Sequence, residues 1–243
     1  MPIPTIIIRS VGRNGFNDEY DVRVVQRLLN NAFTGHGSFN VTGLFDKPTQ
    51  QAIEYFQQNY EGAQRPSGNI VPGGSTMRRL QAYAGTYYSI KDKSVILGDG
   101  VERVIDAIAT RFYCNSGRRI VVTSGIRTPN TQAKALHTKL KLGDDVLKLY
   151  GYGANIKNIV NAHDKSVKAG NTEEQTIKAM EDEITAQVKA GKFISAHLYS
   201  KAFDVRSTDM EGRVKRLFKR VAQPCVKSFI EENKPPHFHM QAH

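Results

Sequence analysis

Two short stretches carry side chains that could do chemistry together. "FISAHLYSKAFDVRS", residues 193–207, holds His197 and, seven positions on, Asp204. "KPPHFHMQ", residues 234–241, holds His237 and His239. Imidazole nitrogens and carboxylate oxygens are zinc ligands, and a catalytic zinc uses three protein ligands with a fourth position open. A loop carrying His197 and a following strand carrying Asp204 let these groups converge. A His-x-His pair on a strand sends both imidazoles to one face, because side chains alternate with period two. The spacing predicts one site of four groups, three ligands and an acid/base partner, with the roles of the two C-terminal histidines open. His36, His137 and His163 belong to no such pattern, and His243 is the terminal residue.

The elements that must position these groups follow from periodicity. "KAFDVRS" and "HFHMQ" are strand-like, as is "RRIVVTSG", a β-branched run bounded by Ser and Gly. Residues 100–113 predict a helix with Val101, Val104, Ile105, Ile108 and Phe112 on one face. Residues 131–190 are mostly helical. The clearest part runs from Glu173 to Ala190, with Asn171 and Glu174 as a capping-box pattern and Gly191 as the stop. Residues 210–222 predict a helix with Val214, Leu217, Phe218 and Val221 inward and five Lys and Arg outward. Nearer the start, residues 21–32 form a short amphipathic helix that Asp21 can cap. A second runs over 47–60 with Asp46 as N-cap and Pro48 in its first turn. The turn-rich "SGNIVPGG" leads to a third, near 75–83, and residues 84–98 lack helical period.

The first of these regions resembles the three-helix peptidoglycan-binding domain of many wall hydrolases. The resemblance lies in "DVRVVQRLLN", "VTGLFDKPTQQAIEYFQ" and "SGNIVPGGSTMRRL", where Gly43, Phe45, Thr49, Ala52, Phe56 and Gln57 match the family pattern. Asp46 stands where the family usually has Gly. The later region resembles a zinc metallopeptidase family of D-Ala-D-Ala carboxypeptidases, D-Ala-D-Ala dipeptidases and phage L-alanyl-D-glutamate endopeptidases. "SAHLYSKAFDV" is similar to its Ser-x-His-x-x-Gly-x-Ala-x-Asp-Ile/Val motif at Ser195, His197, Ala202, Asp204 and Val205, with Ser200 in place of Gly. "PPHFHMQ" resembles its second metal motif, and "VVTSGIRTPNTQ" its Ser-Gly-Tyr-Arg segment.

This second resemblance implies one zinc ion held by His197, Asp204 and His239. It implies Arg127 facing the substrate cleft, there to bind a stem-peptide carboxylate or a developing oxyanion. Many relatives place their general base three residues before the last ligand, which is Pro236 here. His237 is then the first choice for the base, with Glu232 and Glu231 as reserve. The 69 residues between Arg127 and His197 are longer and more helical than the family pattern.

The bulk properties agree with two modules. The chain has 243 residues, enough for two compact domains. The expectation is an all-α three-helix peptidoglycan-binding domain over 1–84, a linker over 85–98, and an α+β zinc peptidase domain with a small antiparallel sheet over 99–243. No apolar run approaches the ~18 residues of a membrane span. "MPIPTIIIRS" does not look like a secretory signal. Cys114 and Cys225 are too few for a disulfide framework and are expected as two buried small hydrophobes, with a single bridge as the alternative. Of the net charge of +11, residues 1–86 carry +2 and the rest +9. Such a basic half suits an anionic partner: peptidoglycan first, then anionic lipopolysaccharide or membrane. No recognition motif supports nucleic acid.

Together these features lead to a monomeric wall-binding zinc peptidase of the endolysin kind. It would be made in the cytoplasm and reach the wall or periplasm after holin release or delivery by a secretion machine. An endopeptidase cutting the L-Ala-D-Glu or a cross-link bond is expected ahead of a D-Ala-D-Ala carboxypeptidase. An inactive wall-binding or structural module of a phage tail or secretion device is the competing class.

Overall fold

The structure is a computed structural model that describes residues 6–33 and 39–243; His36 and the first five residues of the "MPIPTIIIRS" stretch lie outside the described residues. Helices and small sheets mix without regular alternation, the pattern of an α+β chain. In chain order the elements begin with β1 (Val11–Gly12), α1 (Glu19–Ala32), α2 (Lys47–Glu61), β2 (Asn69–Ile70) and α3 (Ser75–Gln81). Next come β3 (Tyr88–Ile90), α4 (Val101–Ser116), β4 (Ile120–Ser124) and the helices α5 (Pro129–Lys141), α6 (Val146–Leu149), α7 (Ala154–Lys168) and α8 (Glu173–Lys189). The chain closes with β5 (Ala202–Arg206), α9 (Gly212–Ala222), β6 (Ser228–Asn233) and β7 (Pro236–Gln241). No helix among the described residues is long and apolar enough to cross a membrane.

The chain packs as two units. One comprises Met1–Ser89, Glu102–Val121 and Met210–Lys227; the other comprises Ile90–Val101, Val122–Asp209 and Ser228–His243. In packing, α4 and α9 therefore belong with the first unit, although both follow the 85–98 segment in sequence. That segment itself contains β3.

In the first unit, Val22, Val25, Leu28, Leu29, Ile53 and Phe56 are fully buried between α1 and α2. Two buried glutamines wire the turns between the helices. Gln26 donates to Thr49 Oγ1 (2.9 Å) and accepts from the Gly43 amide (2.9 Å). Gln57 donates to the Asn69 carbonyl (3.0 Å) and accepts from the Gly68 amide (2.9 Å). The bonds to Gly43, Asn69 and Gly68 satisfy backbone groups that tight turns would otherwise leave unpaired.

Asp46 caps α2 as expected, accepting from the Thr49 amide at 2.9 Å. The cap of α1 is instead Asp18, which accepts from the Tyr20 amide, so the helix starts earlier than residue 21. Asp21 is buried inside the first turn, 2.6 Å from Arg111 of α4. The capping box of α8 likewise lies one residue on from the expected pair and uses Thr172 and Gln175. Both Thr and Asn are good caps, and the side chain that reaches the third amide decides between them. Cys114 and Cys225 are buried and free. Burial pushes the Cys114 thiol up to about 12.

In the second unit, α8 packs on both α5 and α7 around Ala133, Leu136, Ile156, Ile159, Met180 and Ile184. His137 sits at the edge of this cluster, 6% exposed, and neither ring nitrogen makes a hydrogen bond. Burial lowers its pKa, and His163 and Lys141 push the same way against the single carboxylate of Glu173. The folded value therefore lies below the unfolded one. Stability from this group is complete above the unfolded value of about 6.5 and declines as pH falls through that window. The expected result is an unfolding midpoint that drops between pH 7 and pH 5, with a shallower slope in His137→Leu. Urea titrations at each pH read it; equal slopes in both proteins would exclude His137 as the source.

Candidate metal centre

The larger sheet has the order β3-β4-β5-β7-β6, and β4, β5, β7 and β6 pair antiparallel. Its two faces differ in kind. Phe203 and Val205 of β5 and Phe238 and Met240 of β7 are fully buried on one face. The alternate residues point the other way. Asp204 pairs with His239, Arg206 with His237 and Glu232 with His237 across the strands. Opposed residues share a face, so Asp204, Arg206, His237, His239 and Glu232 all project to one side. Glu231 pairs with Phe238 and lies on the other side. Both reserve bases thus belong to β6, and of the two only Glu232 faces the histidines.

His197 joins this face from a single 3-10 turn, Ala196–Tyr199, just before β5. Ser195 caps that turn, accepting from the His197 amide. Ser200 ends it with φ 68°, a left-handed conformation that glycine adopts more readily. This accounts for glycine at that position in the resembling motif; serine tolerates the same turn at a cost in strain. The Arg127 amide donates to the His197 carbonyl at 3.0 Å and ties the turn to the segment after β4.

The result is a triangle of donor atoms. His197 Nε2 lies 3.2 Å from His239 Nδ1 and 3.3 Å from Asp204 Oδ1, and the third edge, His239 Nδ1 to Asp204 Oδ1, is 2.9 Å. Ligand atoms about 2.0–2.1 Å from a tetrahedral zinc lie about 3.3 Å from one another, so these edges fit such an ion. The protonation pattern fits as well. A carbonyl can only accept, so the 2.5 Å contact of His197 Nδ1 with Gly125 O puts the proton on Nδ1 and leaves the Nε2 lone pair facing the triangle. Two imidazole nitrogens and one carboxylate oxygen form a donor set that suits zinc. Of the three side chains His239 is the most exposed, at 18%, against 1% and 4% for His197 and Asp204.

The electrostatics hold the ligands in binding form. Burial alone would raise the Asp204 pKa. Its contacts with His197 and His239 and the guanidinium charge of Arg127 outweigh it, and the carboxyl stays well below its usual range. Burial lowers the His197 pKa, which keeps the imidazole neutral. Asp204 uses its two oxygens differently: Oδ1 faces the imidazoles, while Oδ2 accepts from Arg127 Nη2 at 2.7 Å. Arg127 also donates to Ser124 Oγ (3.1 Å) and Gln132 Oε1 (3.4 Å). It lines the cleft, and its guanidinium is engaged by these groups.

His237 stands beside the triangle, with Nε2 4.0 Å from Asp204 Oδ1 and 3.6 Å from Glu232 Oε2. Its Nδ1 donates to the Pro235 carbonyl at 2.6 Å, so Nε2 keeps its lone pair. Glu232 is in turn ion-paired with Lys139 of α5. Pattern reasoning did not single out Lys139, a buried lysine on a helix with no motif around it. Its position on the inner face of α5, in step with the apolar Leu136, was the available signal. The whole group lines a cleft of about 760 Å³, and the 131–190 helical segment supplies part of its wall through Lys139, Leu149 and Tyr150. No family model, no curated protein and no solved structure matches the chain.

Proposed function

We propose that the protein is a zinc-dependent peptidase of bacterial peptidoglycan, an endolysin-like enzyme cutting an amide bond of the stem peptide. The convergence of His197, Asp204 and His239 on one face of the sheet, with atom spacings that fit a tetrahedral ion, carries this reading. A zinc ion there would supply Lewis acidity to the scissile amide and to the attacking water.

The other steps fall to the chain's own residues. His237 offers an unprotonated Nε2 to the cleft; it takes the proton of the attacking water and returns it to the leaving amine. Glu232, 3.6 Å away, stabilises the imidazolium formed in between, and Lys139 holds Glu232 in place. Arg127 keeps Asp204 ionised and oriented for binding. A wall-lysing role favours an endopeptidase acting on the L-Ala-D-Glu or a cross-link bond. In this reading the region up to residue 84 is a three-helix wall-binding domain. The glutamine-wired turns of α1 and α2 sit at its motif residues and support that assignment. Anchoring to the polymer raises the local concentration of enzyme at its substrate.

Digestion of purified sacculi tests the proposal. Zinc-loaded wild type should release fragments with new stem-peptide termini, identified by mass spectrometry, while His197→Ala should release none. Binding to sacculi with intact muropeptides from both proteins would instead identify an inactive wall-binding module, the reading that Pro236 in the usual base position favours.

A further inference from the structure

The first unit carries a concave basic surface apart from the candidate metal centre. On α9, Arg213, Arg216 and Arg220 follow one another at spacings of three and four, which puts them on one helix face. All three are exposed. With Arg23 of α1 and Arg118 after α4 they line a groove of about 660 Å³. The only carboxylate in the lining is Glu19, paired with Arg23 at 2.5 Å. Five guanidinium groups against one carboxylate leave a formal +4 in a small volume.

Residue type is selective here. α9 also carries Lys215 and Lys219, and neither lines the groove. A guanidinium presents a planar fork that grips oxyanions with two hydrogen bonds, whereas an ammonium acts as a point charge. At least two of the forks already have partners: Arg23 pairs with Glu19, and Arg220 lies over the Tyr20 ring, 5.3 Å from its centroid, and donates to the Tyr20 hydroxyl at 2.8 Å. Like charges crowded at these helical spacings destabilise a helix, and an anion in the groove removes that repulsion.

We propose that this groove binds a phosphorylated glycan, with the arginines taking the phosphate oxygens. The preference for phosphate stands on the groove alone. The glycan carrier rests on the wall-directed reading above. A membrane surface fits less well, because the apolar side of α9, Phe218, Val221 and Ala222, is buried and leaves nothing to insert. Single-stranded nucleic acid binds through open aromatic platforms, and Tyr20, the one ring in the lining, is covered by Arg220. The volume is that of a small-ligand site.

Calorimetric titration of the full chain tests the assignment, with a glucosamine disaccharide carrying two phosphates as probe. The same disaccharide without phosphates, inorganic pyrophosphate, single-stranded DNA and phosphatidylglycerol vesicles serve as comparisons. The bisphosphorylated disaccharide is expected to bind at least ~10-fold more tightly than pyrophosphate, and the unphosphorylated sugar not to bind. Replacing two forks in Arg213→Gln/Arg216→Gln should weaken binding about 30-fold or more. The control Arg119→Gln/Lys219→Gln removes the same charge outside the groove and should change it less than about 2-fold. Thermal unfolding of each variant verifies that the fold is kept.

Equal losses in both double variants would reduce the effect to bulk charge and overturn the site. Pyrophosphate binding as tightly as the disaccharide would overturn the glycan. Preferred, variant-sensitive binding to DNA or vesicles would replace it with that partner. None of these readouts depends on peptide hydrolysis, so this proposal and the peptidase reading fail separately.

Discussion

Asp204→Asn is expected to take the zinc content from near one ion per chain to near zero and to lower stem-peptide release at least ~1000-fold, about 4 kcal/mol of transition-state stabilisation. The substitution preserves size and removes one charge. Asp204 Oδ1 lies within 3.3 Å of both ligand nitrogens, and Oδ2 accepts from Arg127 at 2.7 Å. An asparagine must turn its amide NH2 toward either the imidazoles or Arg127. The first choice replaces an anionic ligand with a donor. The second sets a donor against a guanidinium. Either way Arg127, 17% exposed, loses its counter-charge. Breaking a buried ion pair from one side costs about 3–5 kcal/mol, and the partial exposure of Arg127 points to the lower end of that range.

The double variant Asp204→Asn/Arg127→Met separates the two effects. It should recover part of the stability and none of the zinc. Metal analysis of dialysed protein and urea unfolding read both quantities. A zinc content that stays near one in Asp204→Asn would show that the triangle is not the metal centre.

How far the site could be seen in advance depends on which interactions are local. Period two puts His237 and His239 on one face of any strand they occupy, so that pairing was legible from "HFHMQ" alone. The His197–Asp204 spacing was legible too, since a turn followed by a strand is a short-range arrangement. β6 was not. "SFIEEN" has Phe, Ile and Glu without clean alternation, because one side of the strand lines a polar cleft and the other carries exposed residues. Glu231 and Glu232 therefore looked alike, although only Glu232 opposes His237. Lys139 was hard to see for a related reason: its partner is 93 positions away, and its step with Leu136 on α5 was the one local mark. The caps show the same limit on a smaller scale. Asp18 and Asp21 are equally good cap residues by type, and long-range packing chose between them, drawing Asp21 inward to a helix 90 positions later. That same contact helps place α4 in the first unit, against its order in the sequence.

Arg111→Met is accordingly expected to be among the most destabilising single changes in the first unit, at about 3–5 kcal/mol. Arg111 is 4% exposed and Asp21 1%. The guanidinium donates to Asp21 Oδ1 (2.6 Å) and to the carbonyls of Ile6 (2.8 Å) and Val221 (3.2 Å). The Asp21 carboxylate accepts in addition from the amides of Ile8 (3.1 Å) and Arg9 (2.8 Å). One ion pair thus gathers the N-terminal segment, α1, α4 and the end of α9. Removing the arginine strands a buried carboxylate and two carbonyls. With a urea slope of about 2 kcal/mol per molar, the midpoint should fall by about 1.5–2.5 M.

Asp21→Leu should cost a similar amount, because it strands the cation. The double variant Asp21→Leu/Arg111→Met should then lie above either single one, since an apolar pair removes both desolvated charges together. Additive losses in that cycle would mean that the two residues act through their backbone bonds and not as a pair. A midpoint shift below about 0.3 M in Arg111→Met, under 1 kcal/mol at that slope, would show that the first unit does not depend on this contact.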